Sequence, residues 1–181
     1  WADETSEHLQ IARATFMALP DIFGQWLDVC AEAVTKGNKI LFFGNGGSAA
    51  DCQHLATELT IRYKADRAPI AAIALTTDSS ALTAGGNDLG FDQVFARQID
   101  ALGKEGDISI GISTSGNSPN VLEALKTSRS KGMVTVGLSG RDGGKMHDVC
   151  DILLVVPSNT TARIQEMHIT LGQMLCGALE Q

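Results

Sequence analysis

Two stretches rich in glycine and hydroxyl side chains carry residue types suited to binding a phosphate. Gly44-Asn45-Gly46-Gly47-Ser48 follows one apolar run, and Ser113–Ser118 follows another. If each stretch opens a helix after a strand, unpaired backbone N–H groups and the helix dipole favour an anion there. The hydroxyl groups that could donate to its oxygens are those of Ser113, Thr114, Ser115 and Ser118. The alternative is an ordinary turn in which Ser48 or Ser118 is a plain N-cap.

Neither stretch belongs to a common nucleotide-binding motif. No lysine follows the glycines as it does in a Walker motif, and the spacing is not G-x-G-x-x-G. The pattern therefore favours a phosphorylated small molecule over a nucleotide.

Titratable residues follow the first stretch closely. His54 and Glu58 are four residues apart, so in a helix they face the same side. This spacing suits two ligands of one divalent metal, or a base beside a group that orients it. Asp51, one turn earlier, could hold the imidazole ring. The alternative is a solvated His–Glu pair on a helix surface.

Polar residues also interrupt the apolar C-terminal segment. Gln165 and His168 are three apart and share a helix face, and Gln173 lies two turns beyond Gln165. Helix geometry alone favours His168 as a metal ligand or base. Asn87 and Asp88 lie in a Gly-rich stretch that predicts either a turn or a substrate contact.

Composition limits the class of protein. The chain has 181 residues, 44% hydrophobic and 19% charged, which is typical of one globular domain. A net charge of −7 argues against nucleic acid as the main partner. No apolar run reaches the length of a membrane span, so we expect no membrane contact. Four cysteines without a C-x-x-C pair indicate free thiols and a cytoplasmic location.

Strand-like and helical patterns alternate along most of the chain. Residues 1–37 predict a helical extension of two helices that meet at Pro20, packed on the core or on a neighbouring subunit. Runs almost continuous in apolar residues then predict buried parallel strands at Ile40–Phe43, Ile70–Leu75, Ile108–Ile112, Val134–Leu138 and Ile152–Val156. Helical patterns occupy Ala49–Tyr63, Gln93–Ala101, Asn120–Ser130 and Thr160–Glu180. We predict a single α/β domain over residues 1–181, a three-layer sandwich with a five-stranded parallel sheet.

The last predicted helix is apolar on most sides. The residues responsible are Leu171, Met174, Leu175, Ala178 and Leu179. Such a helix must be covered on several faces, which indicates contact between subunits of a homo-oligomer.

Together, the motifs resemble those of the phosphoheptose isomerases, which are sugar isomerase (SIS) domain proteins. The matching segments are Gly44–Leu59, Gly86–Phe91, Gly111–Ser118 and Ala162–His168, and the likeness extends from about residue 10 to the C-terminus. The resemblance implies a flavodoxin-like sheet flanked by helices and a homotetramer with active sites between subunits. It also implies an activity that interconverts two phosphorylated seven-carbon sugars, sedoheptulose 7-phosphate and D-glycero-D-manno-heptose 7-phosphate. This reaction lies on the route to lipopolysaccharide heptose.

The same resemblance assigns roles to individual residues. The phosphate would be held by Ser113, Thr114, Ser115 and Ser118. The sugar would be contacted by Asn45, Gly46, Gly47, Glu58, Asn87, Asp88 and Gln165. One zinc ion per subunit would be bound by His54, Glu58, Gln165 and the residue at position 173. Glu58 and residue 173 would be the catalytic pair, with Glu58 as the base.

The chain departs from the family pattern at Gln173. The family has a histidine here, which serves as a zinc ligand and catalytic acid/base, whereas His168 matches a different histidine and does not inherit that role. Glutamine cannot exchange a proton near neutral pH. Because loss of one proton-transfer group costs about 10²–10⁴-fold in rate, we expect substrate binding with impaired turnover and weakened zinc binding.

A non-enzymatic alternative belongs to another class of function. The SIS-domain regulator that binds the bacterial replication initiator is similar overall and also lacks this histidine. Gln173 favours that alternative, whereas Glu58 and the two intact phosphate-type stretches favour the isomerase.

Overall fold

The computed structural model describes residues 1–181, and its centre is a sheet of five parallel strands. The strands are β1 (Ile40–Gly44), β2 (Ala72–Ala74), β3 (Ile108–Ile112), β4 (Val134–Gly140) and β5 (Ile152–Val156). Their order across the sheet is β2-β1-β3-β4-β5, the flavodoxin-like order. The predicted fold class is confirmed. Strand β2 is shorter than predicted, because at the edge of the sheet it pairs only with β1.

Seven α-helices surround the sheet. They are α1 (Ala2–Ala18), α2 (Pro20–Thr35), α3 (Gly47–Thr60), α4 (Ser79–Asp88), α5 (Ala96–Leu102), α6 (Pro119–Ser130) and α7 (Thr161–Leu179). The break between α1 and α2 falls at Pro20, which occupies the first turn of α2, where its missing N–H is tolerated.

One helix and part of another differ from the prediction. Helix α4 was not predicted, although Asp78 caps it by accepting hydrogen bonds from the backbone amides of Ser80 and Ala81, both at 2.9 Å. The helix predicted over 93–101 begins later, because a 3₁₀ turn at Phe91–Gln93 precedes α5.

Helices cover both faces of the sheet. Side chains alternate along β1, so that Phe42 faces the core formed with α2, α3 and α7, while Phe43 faces the core formed with α5 and α6. Helix α2 contributes the fully buried Trp26 to the first core. Because both faces are covered, the strands are buried along most of their length, as is typical of parallel sheets.

The four cysteines form no disulfide bond. Cys30, Cys52 and Cys176 are buried as expected, whereas Cys150 is partly exposed. Burial raises the pKa of Cys30 and of Cys150 to about 12, so both remain protonated thiols at neutral pH. No helix combines the length and the apolar character needed to cross a membrane.

Candidate active site

The two loops rich in glycine and hydroxyl side chains, Gly44–Ser48 and Ser113–Ser118, lie next to each other at the carboxyl edge of the sheet. Strand β1 leads into the first loop and β3 into the second, and the two strands pair in parallel, with Gly44 opposite Ile112. Open α/β sheets place their ligands at this edge. The topology therefore brings together two segments that are about seventy residues apart in the sequence.

We call Ser113–Ser118 the serine loop; it has hydrogen bonds within it and leaves two backbone amides without a protein acceptor. The Oγ atoms of Ser113 and Ser118 lie 2.9 Å apart, and the amide of Gly116 donates to the Ser113 carbonyl at 2.9 Å. Ser118 occupies the N-cap position of α6, but its hydroxyl caps no backbone amide. The backbone amides of Thr114 and Ser115 donate to no protein acceptor. The loop thus presents free N–H and O–H groups at a helix N-terminus.

The loop Asn45-Gly46 opens α3 in a similar way. Gly46 is the N-cap residue, with a φ of +57° that favours glycine, and no side chain caps the helix. Ser48 is buried inside the helix. Ser48 is therefore not the N-cap of α3, whereas Ser118 occupies the N-cap position of α6 without a side-chain cap hydrogen bond.

A pair of asparagines joins the two loops. The Asn45 amide donates to Oδ1 of Asn120 at 2.8 Å, and the Asn120 amide donates back to Oδ1 of Asn45 at 2.9 Å. Asn120 lies in the first turn of α6 and is only 2% exposed. Sequence analysis did not single out Asn120, although an asparagine two residues after the serine loop was a visible signal.

His54, Glu58 and Gln173 come together where α3 packs against α7. Nε2 of His54 lies 2.9 Å from Oε1 of Glu58 and 3.1 Å from the side-chain nitrogen of Gln173. Both neighbours approach the same ring nitrogen, which donates to Glu58 when it carries a proton and accepts from Gln173 when it does not. Three polar groups from α3 and α7 therefore converge on one point.

Gln165 lies two turns away from this point. A Cβ atom at Gly47 would be 2.7 Å from the side-chain nitrogen of Gln165, and one at Gly172 would be 2.5 Å from Leu55. These contacts show that α3 and α7 run parallel, with Gln165 beside the start of α3 and Gln173 beside His54. The absence of a side chain at Gly47 leaves room for the Gln165 amide.

The remaining candidates lie outside this cluster. Asn87 and Asp88 end helix α4, exposed and hydrogen-bonded to each other at 2.7 Å. Asp51 makes no hydrogen bond to His54, and burial raises the pKa of its carboxyl. His168 is 1% exposed and contacts the Ser139 carbonyl at 2.9 Å, and burial lowers its pKa to about 4. The role that helix geometry favoured for His168 is therefore wrong, because the residue faces the core.

The convergent groups suit a divalent metal. An imidazole nitrogen and a carboxylate oxygen are ordinary ligands of zinc. The Gln173 amide would offer its oxygen after a flip that exchanges its two nearly identical atoms. A neutral amide is a poorer zinc ligand than imidazole, so this set fits zinc more weakly than one with two histidines.

Comparison with known proteins gives the family. The family model described as "SIS domain" matches residues 9–140. A phosphoheptose isomerase from Paramagnetospirillum magneticum is 54% identical over 177 residues, which cover 98% of this chain and 92% of that protein. Phosphoheptose isomerase 1 from Campylobacter jejuni is 54% identical over 178 residues, covering 98% and 95%. The chain belongs to the phosphoheptose isomerase family of SIS domain proteins.

Solved phosphoheptose isomerases have the same architecture. The structure from Neisseria gonorrhoeae superposes with a TM-score of 0.93 at 45% identity, covering 99% of this chain and 96% of that one. The structure from Francisella tularensis gives 0.94 at 36% identity with the same coverage. The match includes α1 and α2, so the N-terminal helices belong to the architecture of phosphoheptose isomerases.

Proposed function

We propose that this chain is an aldose–ketose isomerase that interconverts sedoheptulose 7-phosphate and D-glycero-D-manno-heptose 7-phosphate, on the route to lipopolysaccharide heptose. The observation that carries the proposal is that α3, which carries His54 and Glu58, begins at the loop that the Asn45–Asn120 pair joins to the serine loop. Relatives at more than 50% identity over nearly the whole chain carry the name phosphoheptose isomerase, which supports it.

The serine loop would hold the phosphate of the substrate. Free amides at Thr114 and Ser115 and the hydroxyls of the loop are donors for the phosphate oxygens. No lysine or arginine is required, because the N-terminus of α6 carries a partial positive charge. Asn45 and the backbone of Gly46 and Gly47 would then contact the sugar, since they lie at the adjoining loop.

Glu58 would carry out the proton transfers. In the ketose-to-aldose direction its carboxylate removes a proton from C1, and protonation of the C2 oxygen gives an enediol. Loss of the proton from the C1 oxygen and return of a proton to C2 then give the aldose. The transfers between oxygens need a second group that exchanges protons, and the neutral amide of Gln173 does not do so. Binding should therefore be intact and turnover slow.

Zinc is part of this proposal. His54, Glu58 and Gln173 would hold one ion per subunit, with weakened affinity because position 173 has an amide in place of an imidazole. Gln165, the fourth ligand that the resemblance implies, lies beside Gly47 and would have to turn its side chain towards them. When bound, zinc would polarise substrate oxygens.

A cytoplasmic homotetramer is also part of the proposal. Exposed apolar side chains, Phe16 on α1 and Met174 on α7, flank a groove next to Gln173, and a partner subunit would cover them. Native mass spectrometry reports both assembly and metal, with four subunits and at most four zinc ions expected. A monomer would contradict the assembly.

The deciding experiment separates binding from chemistry. Calorimetric titration with sedoheptulose 7-phosphate should show binding, and Gln173→His should raise kcat by about 10²–10⁴-fold, the usual contribution of one proton-transfer group. Gln10→His, on the exposed side of α1, is the matched control and should leave both the Kd and kcat unchanged. An unchanged kcat in folded Gln173→His that binds substrate would refute the role of position 173. Absence of binding would favour a non-enzymatic regulator.

A further inference from the structure

Arg67 closes the end of the helix that carries Glu58. Its guanidinium donates to the carbonyl of Glu58 at 2.8 Å and to the carbonyl of Leu59 at 2.7 Å. These carbonyls belong to the last turn of α3, where helix geometry supplies no partner. The Arg67 side chain is only 13% exposed, so the contact is not a loose surface pair. The backbone of Glu58 itself is therefore fixed by a side chain outside its helix.

Glu180 holds the segment that presents Arg67. Its carboxylate accepts hydrogen bonds from three consecutive amides, those of Tyr63, Lys64 and Ala65, each at 3.0 Å. It also lies 3.5 Å from Nε of Arg67, and its side chain is 5% exposed. The Ala65 amide, with those of Tyr63 and Lys64 and the guanidinium, keeps the pKa of Glu180 below its ordinary value.

These contacts connect the ends of the two helices that supply the reacting groups. Glu180 directly follows α7, seven residues after Gln173, and Arg67 fixes α3 at Glu58. The link runs from α7 through the carboxylate, the loop amides and the guanidinium to the carbonyl of Glu58. A shift at either end would change the position of Glu58 relative to Gln173 and His54.

We infer that Arg67 and Glu180 are positioning residues for Glu58, holding its backbone at the place from which the carboxylate reaches the substrate. The inference rests on the proposed function, because it concerns the base of the isomerase reaction. Neither residue contacts the serine loop, so phosphate binding should not depend on them. Misplacement of a catalytic group by about 1 Å can cost about 100-fold in rate.

The test uses the full chain with Arg67→Met and Glu180→Gln, each also made with Gln173→His so that turnover is high enough to measure. We expect kcat to fall about 10- to 100-fold, while the Kd for sedoheptulose 7-phosphate stays within about twofold of the starting protein. The kcat of Arg67→Lys should lie between those of Arg67→Met and the starting protein, because lysine keeps the positive charge but has no planar fork for two carbonyls.

Arg129→Met is the matched control. Arg129 also donates to a carbonyl, that of Asp148, and to a carboxylate, that of Asp151, both at 3.1 Å. It lies at the end of α6, near the start of β5 and away from the carboxyl edge of the sheet. The Arg129→Met substitution should therefore leave kcat unchanged.

Amide hydrogen exchange gives a readout that does not depend on turnover. Exchange across residues 58–65 should accelerate at least about tenfold in Arg67→Met and in the nearly isosteric Glu180→Gln, but not in Arg129→Met. Unchanged exchange, an unchanged kcat, or a rise in Kd that accounts for the whole loss of activity would each overturn the inference. A wild-type chain and Gln173→His that both lack isomerase activity would refute the proposed function instead, and exchange would then decide the inference alone.

Discussion

Substitution of Gly116 by alanine should disable the serine loop without disturbing the core. Gly116 has a φ of +66°, a conformation that costs a residue with a side chain about 1–2 kcal/mol. Its added Cβ would lie 2.0 Å from the carbonyl oxygen of Gly143 and 2.9 Å from the amide nitrogen of Gly144. Ordinary packing begins at about 3.4 Å. Both obstacles are backbone, so the serine loop must move relative to the Gly143–Gly144 segment.

The expected magnitude follows from the hydrogen bonds that such a shift would remove. A hydrogen bond to a charged group contributes about 1.5–3 kcal/mol. Loss of the two from the free amides of Thr114 and Ser115 would cost about 3–6 kcal/mol in binding. Because each 1.4 kcal/mol is about a factor of ten, the Kd for sedoheptulose 7-phosphate should rise at least about 100-fold.

Calorimetric titration measures this Kd, and Gly37→Ala is the control. Gly37 has a φ of +77°, but a Cβ there would meet nothing within 4 Å. Gly37→Ala should lose about 1–2 kcal/mol of unfolding free energy, the cost of the left-handed conformation, and keep the wild-type Kd. If Gly116→Ala binds substrate as tightly as Gly37→Ala does, the serine loop does not hold the phosphate.

Two further substitutions test the surroundings of the site. Asn120→Ala should lower the free energy of unfolding by about 1–3 kcal/mol and weaken substrate binding, because Asn45 loses its hydrogen-bond partner. Denaturant titration measures the first effect and calorimetry the second, and an unchanged Kd would show that the Asn45–Asn120 pair does not support substrate binding. Asp107→Asn should cost about 3 kcal/mol at pH 7, since Asp107 is 2% exposed and accepts hydrogen bonds from both Lys39 nitrogens. Burial raises the pKa of Asp107, but the bonds from Lys39 and Lys104 outweigh it and leave the pKa lowered. The stabilisation is therefore full above about pH 4 and lost as pH falls through the folded pKa, so the difference between variant and wild type should narrow in acid.

The strands could be predicted because burial on both faces requires runs almost continuous in apolar residues, and such runs are visible in the sequence. The predicted β3 and β5 match the observed bounds, and the break before α2 falls at Pro20. Helix α4 could not be predicted from its composition, since it contains Gly85 and Gly86 among serines and threonines with poor helix propensity. Only the cap at Asp78 indicated it. Its presence moves Asn87 and Asp88 from a predicted loop to a helix end.

The site was predictable where its geometry is local. The four-residue spacing of His54 and Glu58 already places them together on one helix face. The Asn45–Asn120 pair and the Arg67–Glu180 contact join residues far apart in sequence, and periodicity carries no information about them. Periodicity also cannot tell which face of α7 meets α3. His168 and Gln173 are five residues apart and so point about 140° away from each other, and only the packing of α7 decides that the second one faces His54.

The arrangement assigns binding and chemistry to different elements. The phosphate donors lie on the loop between β3 and α6, whereas the groups that would move protons lie on α3 and α7. Substitutions in the serine loop should therefore act on Kd, and those at Glu58, Gln173 or Arg67 should act on kcat. The Asn45–Asn120 pair is the contact through which the two sets could influence each other, because it joins the start of α3 to the start of α6. A double-mutant cycle between Gly116→Ala and Arg67→Met should accordingly be additive within about 0.5 kcal/mol. Strong coupling would mean that phosphate binding moves α3, and the two functions would then share one rigid unit.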